Sequence, residues 1–406
     1  MQWIESTAGD YEDKMIILFF LSLFFSFITH NAWCDQLELI SKNRDGRAAS
    51  GYSFDLSENN RLVVFSSTSS EIVEGDTNKY RPYYEFSDLA SDVFLYDRQT
   101  KAIKRISLNP DGTQIENNPS FDPTIDDTGK RVPFVSGGEL DASILLSQDD
   151  QPTRILSLNE HGEKGNWESY FPAISANGLF VAYITAATNI TNHRYSGGRY
   201  NVIRKNLITD QSELVSLSYD GQSAAQGCPP YPASISGDGR YVGFLSKSNL
   251  LIDGISIEGN NMYGIFIRDM QTKAIEHIAT SVYSEIYALN FQVELSGDGR
   301  YVVFTSNRDL VPNPPPHKYN IYIYDRWEKK YEVVPLSTIE GKDRREGLCA
   351  FAISSNGRYI VFASGHEILE KSFYTMEWQP NALYRYDRQT GETIHLLTVD
   401  QDMINP

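Results

Sequence analysis

One ten-residue phrase is written six times along this chain of 406 residues, and a sequence built that way folds by stacking copies of one small unit. The copies are Leu56–Phe65, Ile125–Phe134, Ile174–Tyr183, Ile235–Phe244, Leu295–Phe304 and Ile353–Phe362. Their closing aromatics stand 69, 49, 61, 60 and 58 residues apart, so the loops between copies vary while the turn chemistry is kept. The step is slightly longer than that of common propeller repeats.

Each copy parses into four short strands. Before the Ser of the phrase, apolar residues alternate over the preceding positions, as in Tyr231, Ala233, Ile235 and in Phe291, Val293, Leu295. Period two over that length predicts a strand with one apolar face. An Asp-Gly, Asn-Gly or Asn-Asn pair follows, the residue types that tolerate positive φ in a tight hairpin. A Val-rich second strand comes next, then a loop, then a third strand such as Asp92–Asp97 or Asn320–Asp325, and a fourth such as Ile103–Leu108. The second unit is degenerate, its third strand near Ala142–Leu146 lacking the usual Tyr-Asp ending. The predicted fold is all-β: a six-bladed β-propeller of four-stranded antiparallel blades, forming one body over residues 35–406. Ring closure has two candidates. Ser41, Ser107, Ser157 and Ser216 each precede a Gly by five residues, which makes Leu37–Ser41 a fourth strand with no blade before it. Thr393–Val399 competes for the same place beside the last blade.

Residues 1–34 read as an address. Met15–Thr29 is an uncharged apolar run of signal-core length, with Ala32 and Cys34 at the cleavage-rule positions. The first fourteen residues are acidic, so Met15 is the expected start, and the mature chain is expected to begin near Asp35 with no membrane span. Export would permit a Cys228–Cys349 disulfide, but their different offsets within their repeats favour buried free thiols. A net charge of −17 disfavours nucleic acid and anionic lipid as partners.

The phrase Ile-Ser-x-Asp-Gly-Arg-Tyr-Val-x-Phe, followed downstream by Tyr-Asp-Arg-x-Thr-Gly, resembles the β-propeller repeat of the TolB family over about residues 37–399. The resemblance implies the propeller and a partner-binding role in the cell envelope. The stretch after Cys34 is expected to lack the α/β domain that precedes the family's propeller. Related propellers precede peptidase domains, but no Gly-x-Ser-x-Gly elbow occurs in this sequence.

Chemistry-bearing residues are sparse. The seven histidines, His30, His161, His193, His277, His317, His366 and His395, share no metal-ligand spacing. Asp76 and Asn78, in the loop before Asp92, alternate hard oxygens as a Ca²⁺ site would, and Ca²⁺ is the one cofactor the sequence suggests. The Asp that closes the third strand (Asp97, Asp269, Asp325, Asp387) recurs too regularly for a catalytic group and is expected to accept backbone N–H bonds in an Asx-type turn. The inserts Ser66–Ser91 and Gly365–Pro380 cluster aromatics of the kind that anchor interfaces: Tyr80, Tyr83, Tyr84 and Phe86, and Phe373, Tyr374 and Trp378. The sequence is therefore expected to encode a monomeric, exported, non-enzymatic scaffold, periplasmic or secreted, that binds a protein partner. The alternative is a carbohydrate-active hydrolase or lyase using the propeller channel as its cleft.

Overall fold

The computed structural model describes residues 40–398 except 48, 50, 58, 78–90, 117, 139–140, 150, 194–199, 225–226, 258–261, 283–291, 315–318, 336–346 and 368–377. The described residues contain no helix. Their 24 strands form six four-stranded antiparallel sheets, each made of four consecutive strands. Blade one runs from Tyr52 to Arg105, two from Ser120 to Ile155, three from Ser169 to Leu214, four from Ser234 to Val282, five from Val293 to Val333 and six from Gly347 to Thr398. The degenerate second unit is complete, its third strand being Ser143–Gln148.

The repeated phrase owes its wording to the first hairpin. In blades four, five and six the Ser hydroxyl donates to the Asp or Asn two residues on, Ser236 to Asp238 at 2.6 Å, Ser296 to Asp298 at 2.6 Å and Ser354 to Asn356 at 2.8 Å. The same hydroxyl accepts the first amide of the second strand, from Tyr241, Tyr301 and Tyr359, each at 2.9 Å. Blade two substitutes Asp126, whose carboxylate accepts from Lys130 and Arg131 at 2.8 and 3.1 Å. The Gly of the phrase has two reasons to be Gly. Gly299 has φ +68°, and a Cβ there would meet the Tyr241 ring of the preceding blade at 2.4 Å. The closing aromatic then stacks on the third strand, as Phe65 does on Phe94 at 5.5 Å between ring centroids, and Phe362 on Tyr384 at 5.5 Å.

Apolar seams join neighbouring blades. Val135, Ile144 and Leu156 of blade two pack with Val181 and Tyr183 of blade three, and equivalent clusters join three to four, four to five and five to six. Phe54 of blade one packs against Tyr359, Val361 and Leu383 of blade six, and it also belongs to the cluster around Ile40, Phe65 and Phe94. The ring thus closes by side-chain packing across Phe54. Of the two closure candidates, the C-terminal one holds the outer edge of blade six, as the strand Glu392–Thr398. Residues 37–39 lie outside the described residues.

In blades one, two, three and five the fourth strand is shorter than its apolar pattern suggests, whereas in blades four and six it runs on to Val282 and Thr398. Blade one ends its ladder at Arg105, and blade three at Leu214. The cause is the Ser that follows: the hydroxyl of Ser107 accepts the Val93 amide at 3.0 Å and that of Ser216 accepts the Val202 amide at 3.0 Å, so a side chain replaces the ladder.

Candidate functional site

The innermost strands line the central channel, and their alternation divides core from channel. Counting back from the Ser by one and three gives the core face. Counting by two gives Asp55, Thr124, Ala173, Ser234, Glu294 and Ala352; counting by four gives Ser53, Asp122, Phe171, Pro232, Gln292 and Ala350. These twelve channel positions carry three carboxylates and no Lys, Arg or His. Blade six contributes only alanines, so Glu294 of blade five and Asp55 of blade one face each other past it.

Each carboxyl is hydrogen-bonded. Asp55 accepts the amides of Leu56 at 2.8 Å and of Ile125, in the next blade, at 2.9 Å. Asp122 accepts the Ser53 hydroxyl at 2.6 Å, and Glu294 accepts from the Gln292 amide and, at 3.5 Å, from Ser234. Their depth in the molecule dominates their protonation. Desolvation pushes Asp55 up to about 6 against the opposing amide bonds, with the charge of Asp127 adding to the rise. Desolvation also raises Glu294 to about 7, against its hydrogen bonds, and the nearby charge of Asp55 raises it further. Asp122 is likewise raised by burial.

At the hairpin-turn end the third residue of the phrase brings neighbouring blades together, and successive turns are joined backbone to backbone: Asp127 N–H to Ala176 C=O at 3.0 Å, Asn177 to Gly237 at 3.0 Å, Gly237 to Gly297 at 2.8 Å and Gly297 to Ser355 at 2.8 Å. The turns approach so closely that a Cβ on Gly297 would meet the Ser355 hydroxyl at 2.3 Å. The loops between second and third strands, and those between blades, leave from the opposite end. Asp55 and Glu294, two residues before the turn, therefore lie toward the hairpin-turn end of the channel.

The sequence-derived site residues lie elsewhere. Tyr80, Tyr83, Tyr84, Phe86, Phe373, Tyr374 and Asn78 fall outside the described residues. Trp378 opens the third strand of blade six, and its side chain is not described. Asp76 and Asp92 come together, both buried, with Arg105 Nη1 3.5 Å from a carboxylate oxygen of each. Gln114 donates to Asp76 at 3.0 Å, and Ser107 donates to Asp92 at 2.5 Å. Burial raises Asp92 to about 6 despite these partners. Arg105 thus stands where the carboxylates would meet a cation. Among the described residues no group of three or more His, Cys, Asp or Glu is arranged to hold a metal ion. His277 lies against Phe266 and Thr280 on an outer strand, and His161 is exposed beside Glu160. Cys228 is a buried free thiol, pushed up to about 12 by desolvation, which makes it inert.

The repeated Asp does accept the amides of an Asx-type turn: Asp269 from Gln271 at 2.9 Å and Asp325 from Trp327 at 2.9 Å. It also does something the sequence reading missed. The Arg of the phrase clamps it, Arg240 on Asp269 at 2.7 Å, and Arg61, Arg300 and Arg358 on Asp97, Asp325 and Asp387 at 2.6 Å each. Also missed were the exposed apolar residues of the loop face, Trp167, Tyr219 and Leu250, the last two joined by a backbone hydrogen bond of 2.8 Å. They are isolated in sequence and follow no period, so only the topology brings them to one face.

No protein-family model matches the sequence, and a search of curated proteins finds no relative. Solved structures do share the fold. TolB from Acinetobacter baumannii is 14% identical with a TM-score of 0.40, over 76% of this chain and 66% of that one, a little under two thirds of its length. A putative TolB from Agrobacterium tumefaciens is 13% identical with a TM-score of 0.43, over 75% and 87%. An oligogalacturonate lyase in complex with manganese is 12% identical with a TM-score of 0.50, over 86% and 77%. At these identities the likeness is one of fold. With its recurring Ser-x-Asp-Gly-Arg phrase building six four-stranded blades, the chain is a six-bladed β-propeller whose repeat is similar to that of TolB.

Proposed function

We propose that the protein is an exported, non-enzymatic scaffold that receives a protein partner at its loop face, in the cell envelope or outside the cell. The observation that carries this reading is the asymmetry of the ring. The turn face is tied together by backbone hydrogen bonds and by Arg–Asp clamps and exposes Ile208 and Trp327 singly, while the loop face carries the variable connections between strands together with the exposed Trp167, Tyr219 and Leu250. Large apolar and aromatic side chains held on a rigid ring favour recognition at low entropic cost. Export rests on the Met15–Thr29 segment. A photo-reactive residue placed at Tyr219 or Leu250 is expected to cross-link a protein partner in native cells. One placed at Trp327, on the turn face, is expected not to. Equal yields from both faces would remove the basis for the reading.

A second reading is favoured by one observation, the facing carboxyls Asp55 and Glu294. Paired acids with raised proton affinities are what acid–base cleavage of a glycosidic bond uses. Against it, both are already engaged by backbone or side-chain donors. Under the scaffold reading they make the turn end of the channel acidic.

A further inference from the structure

The large apolar residues exposed on the loop face gather at one place, the junction of blades three and four. Tyr219 lies in the turn that leaves blade three, and Leu250 in the loop between the second and third strands of blade four. The bond from the Tyr219 amide to the Leu250 carbonyl holds them side by side, and Leu251 next to it is fully buried in the cluster that joins the two blades. Trp167 reaches the same place from blade three. Its segment rests on the loop of Ala187 and Ile190, so closely that a Cβ on Gly165 would meet the Ala187 side chain at 2.9 Å. Ala224 packs into the cluster of Ala187 and Ile190, and its bridge to Leu217 closes the turn that carries Tyr219. Trp167, Tyr219 and Leu250 are 44%, 55% and 48% exposed.

The junction also holds a carboxylate whose hydrogen bonding is incomplete. Glu168 follows Trp167 and is 8% exposed. Its Oε1 accepts the Tyr200 hydroxyl at 2.8 Å, and Tyr200 packs on the cluster between blades three and four. Its Oε2 is buried and has no hydrogen-bond partner among the described residues. A carboxylate taken out of water with one oxygen unmatched is destabilised until a donor or a cation meets it. Acids also outnumber bases around it: residues 159–168, 218–223 and 247–257 carry Glu160, Glu163, Glu168, Asp220 and Asp253 against Lys164 and Lys247. We propose that this junction is the docking site of the scaffold, and that its occupant is a protein segment presenting a basic side chain to Glu168 between apolar residues that cover Trp167, Tyr219 and Leu250. The inference rests on the scaffold reading and adds the chemistry of the partner. Apolar contact supplies affinity, while opposite charge steers the encounter and fixes the register. The turn face is matched differently: its repeated Asp residues are already paired with Arg, and Ile208 and Trp327 belong to blades that are not neighbours.

The experiment uses the purified full chain and two labelled synthetic peptides with the same Leu and Phe residues, one with Lys and Arg at its polar positions and the other with Glu. Fluorescence anisotropy is expected to show the basic peptide bound at least about tenfold more tightly, and weakened severalfold as salt rises from about 50 to about 300 mM. Glu168→Gln and Tyr219→Ser are each expected to weaken it by about fivefold or more, whereas Trp327→Ser on the turn face leaves it unchanged. Tyr219 is exposed, so its variant carries the test should Glu168→Gln disturb the fold. Equal affinity for the two peptides overturns the inference, as does a basic peptide that both variants hold as tightly as the natural chain does. Cross-linking from Tyr219 and Leu250 tests the scaffold reading separately. A cross-linked partner together with no preference for the basic peptide leaves that reading standing and removes this one.

Discussion

Arg300 and Asp325 make a two-pronged ion pair on the turn face, and its counterparts show what the pair is for. Blades one, four, five and six keep both partners. Blade three has Leu179 in place of the Arg, and there the Asp has become Asn206, which still caps its turn by accepting from Ile208 at 2.8 Å. The cap is therefore the constant, and the Arg compensates the charge of an Asp that is 7% exposed. Removing one member of a largely buried pair leaves an uncompensated charge, and removing both leaves none. Arg300→Leu is thus expected to lower the urea midpoint, with Asp325→Asn restoring most of the loss. Additive losses would show that the Arg contributes through its stacking on Tyr301 and Trp327 instead. Arg105 is a second internal cation. Arg105→Gln should leave Asp76 and Asp92 uncompensated, so that Ca²⁺ raises its Tm by several degrees while leaving the natural chain unchanged. A Ca²⁺ shift of equal size in the natural chain would assign the acidic loop to calcium.

Elements were the most legible level, and their misreadings have physical causes. Alternation over the innermost strands and the turn residues between first and second strands sufficed to place six blades, including the one without a Tyr-Asp ending. The fourth strands of blades one to three were extended too far, because a Ser hydroxyl that replaces a ladder amide leaves the apolar pattern intact. The channel was overlooked because the alternation was followed for its apolar face, whereas Asp55, Asp122 and Glu294 occupy the other one. The third residue of each phrase was treated as free to vary. It is Ala176, Gly237, Gly297 or Ser355 in four consecutive blades because the turns touch there. Gly297→Val should destabilise the ring by about 1–3 kcal/mol through overpacking against Ser355. Adding Ser355→Gly should recover much of that loss. Denaturation midpoints unchanged by Gly297→Val would mean the turns are not in contact.

The whole molecule stores its electrostatic cost in a few carboxyls. Asp55 and Asp92, each near 6, and Glu294, near 7, hold protons in the folded state that the unfolded chain releases near pH 4. The native state then binds more protons, so stability falls as pH rises from about 4 to about 7 and levels off above. The Arg-paired Asp269, Asp325 and Asp387 are shifted down, so their contribution is present above pH 4 and is lost only below it. Thermal melting should accordingly be highest near pH 4 and decline toward pH 7. Glu294→Gln should flatten the decline toward pH 8; an unchanged decline would place its cause outside the channel. The same carboxyls decide between scaffold and enzyme. The most direct measurement is a turnover screen of the purified protein on glycoside, polyuronate and peptide substrates, with and without Ca²⁺ or Mn²⁺. A scaffold gives no turnover in any of them, whereas reproducible turnover that disappears in Asp55→Asn or Glu294→Gln would contradict it.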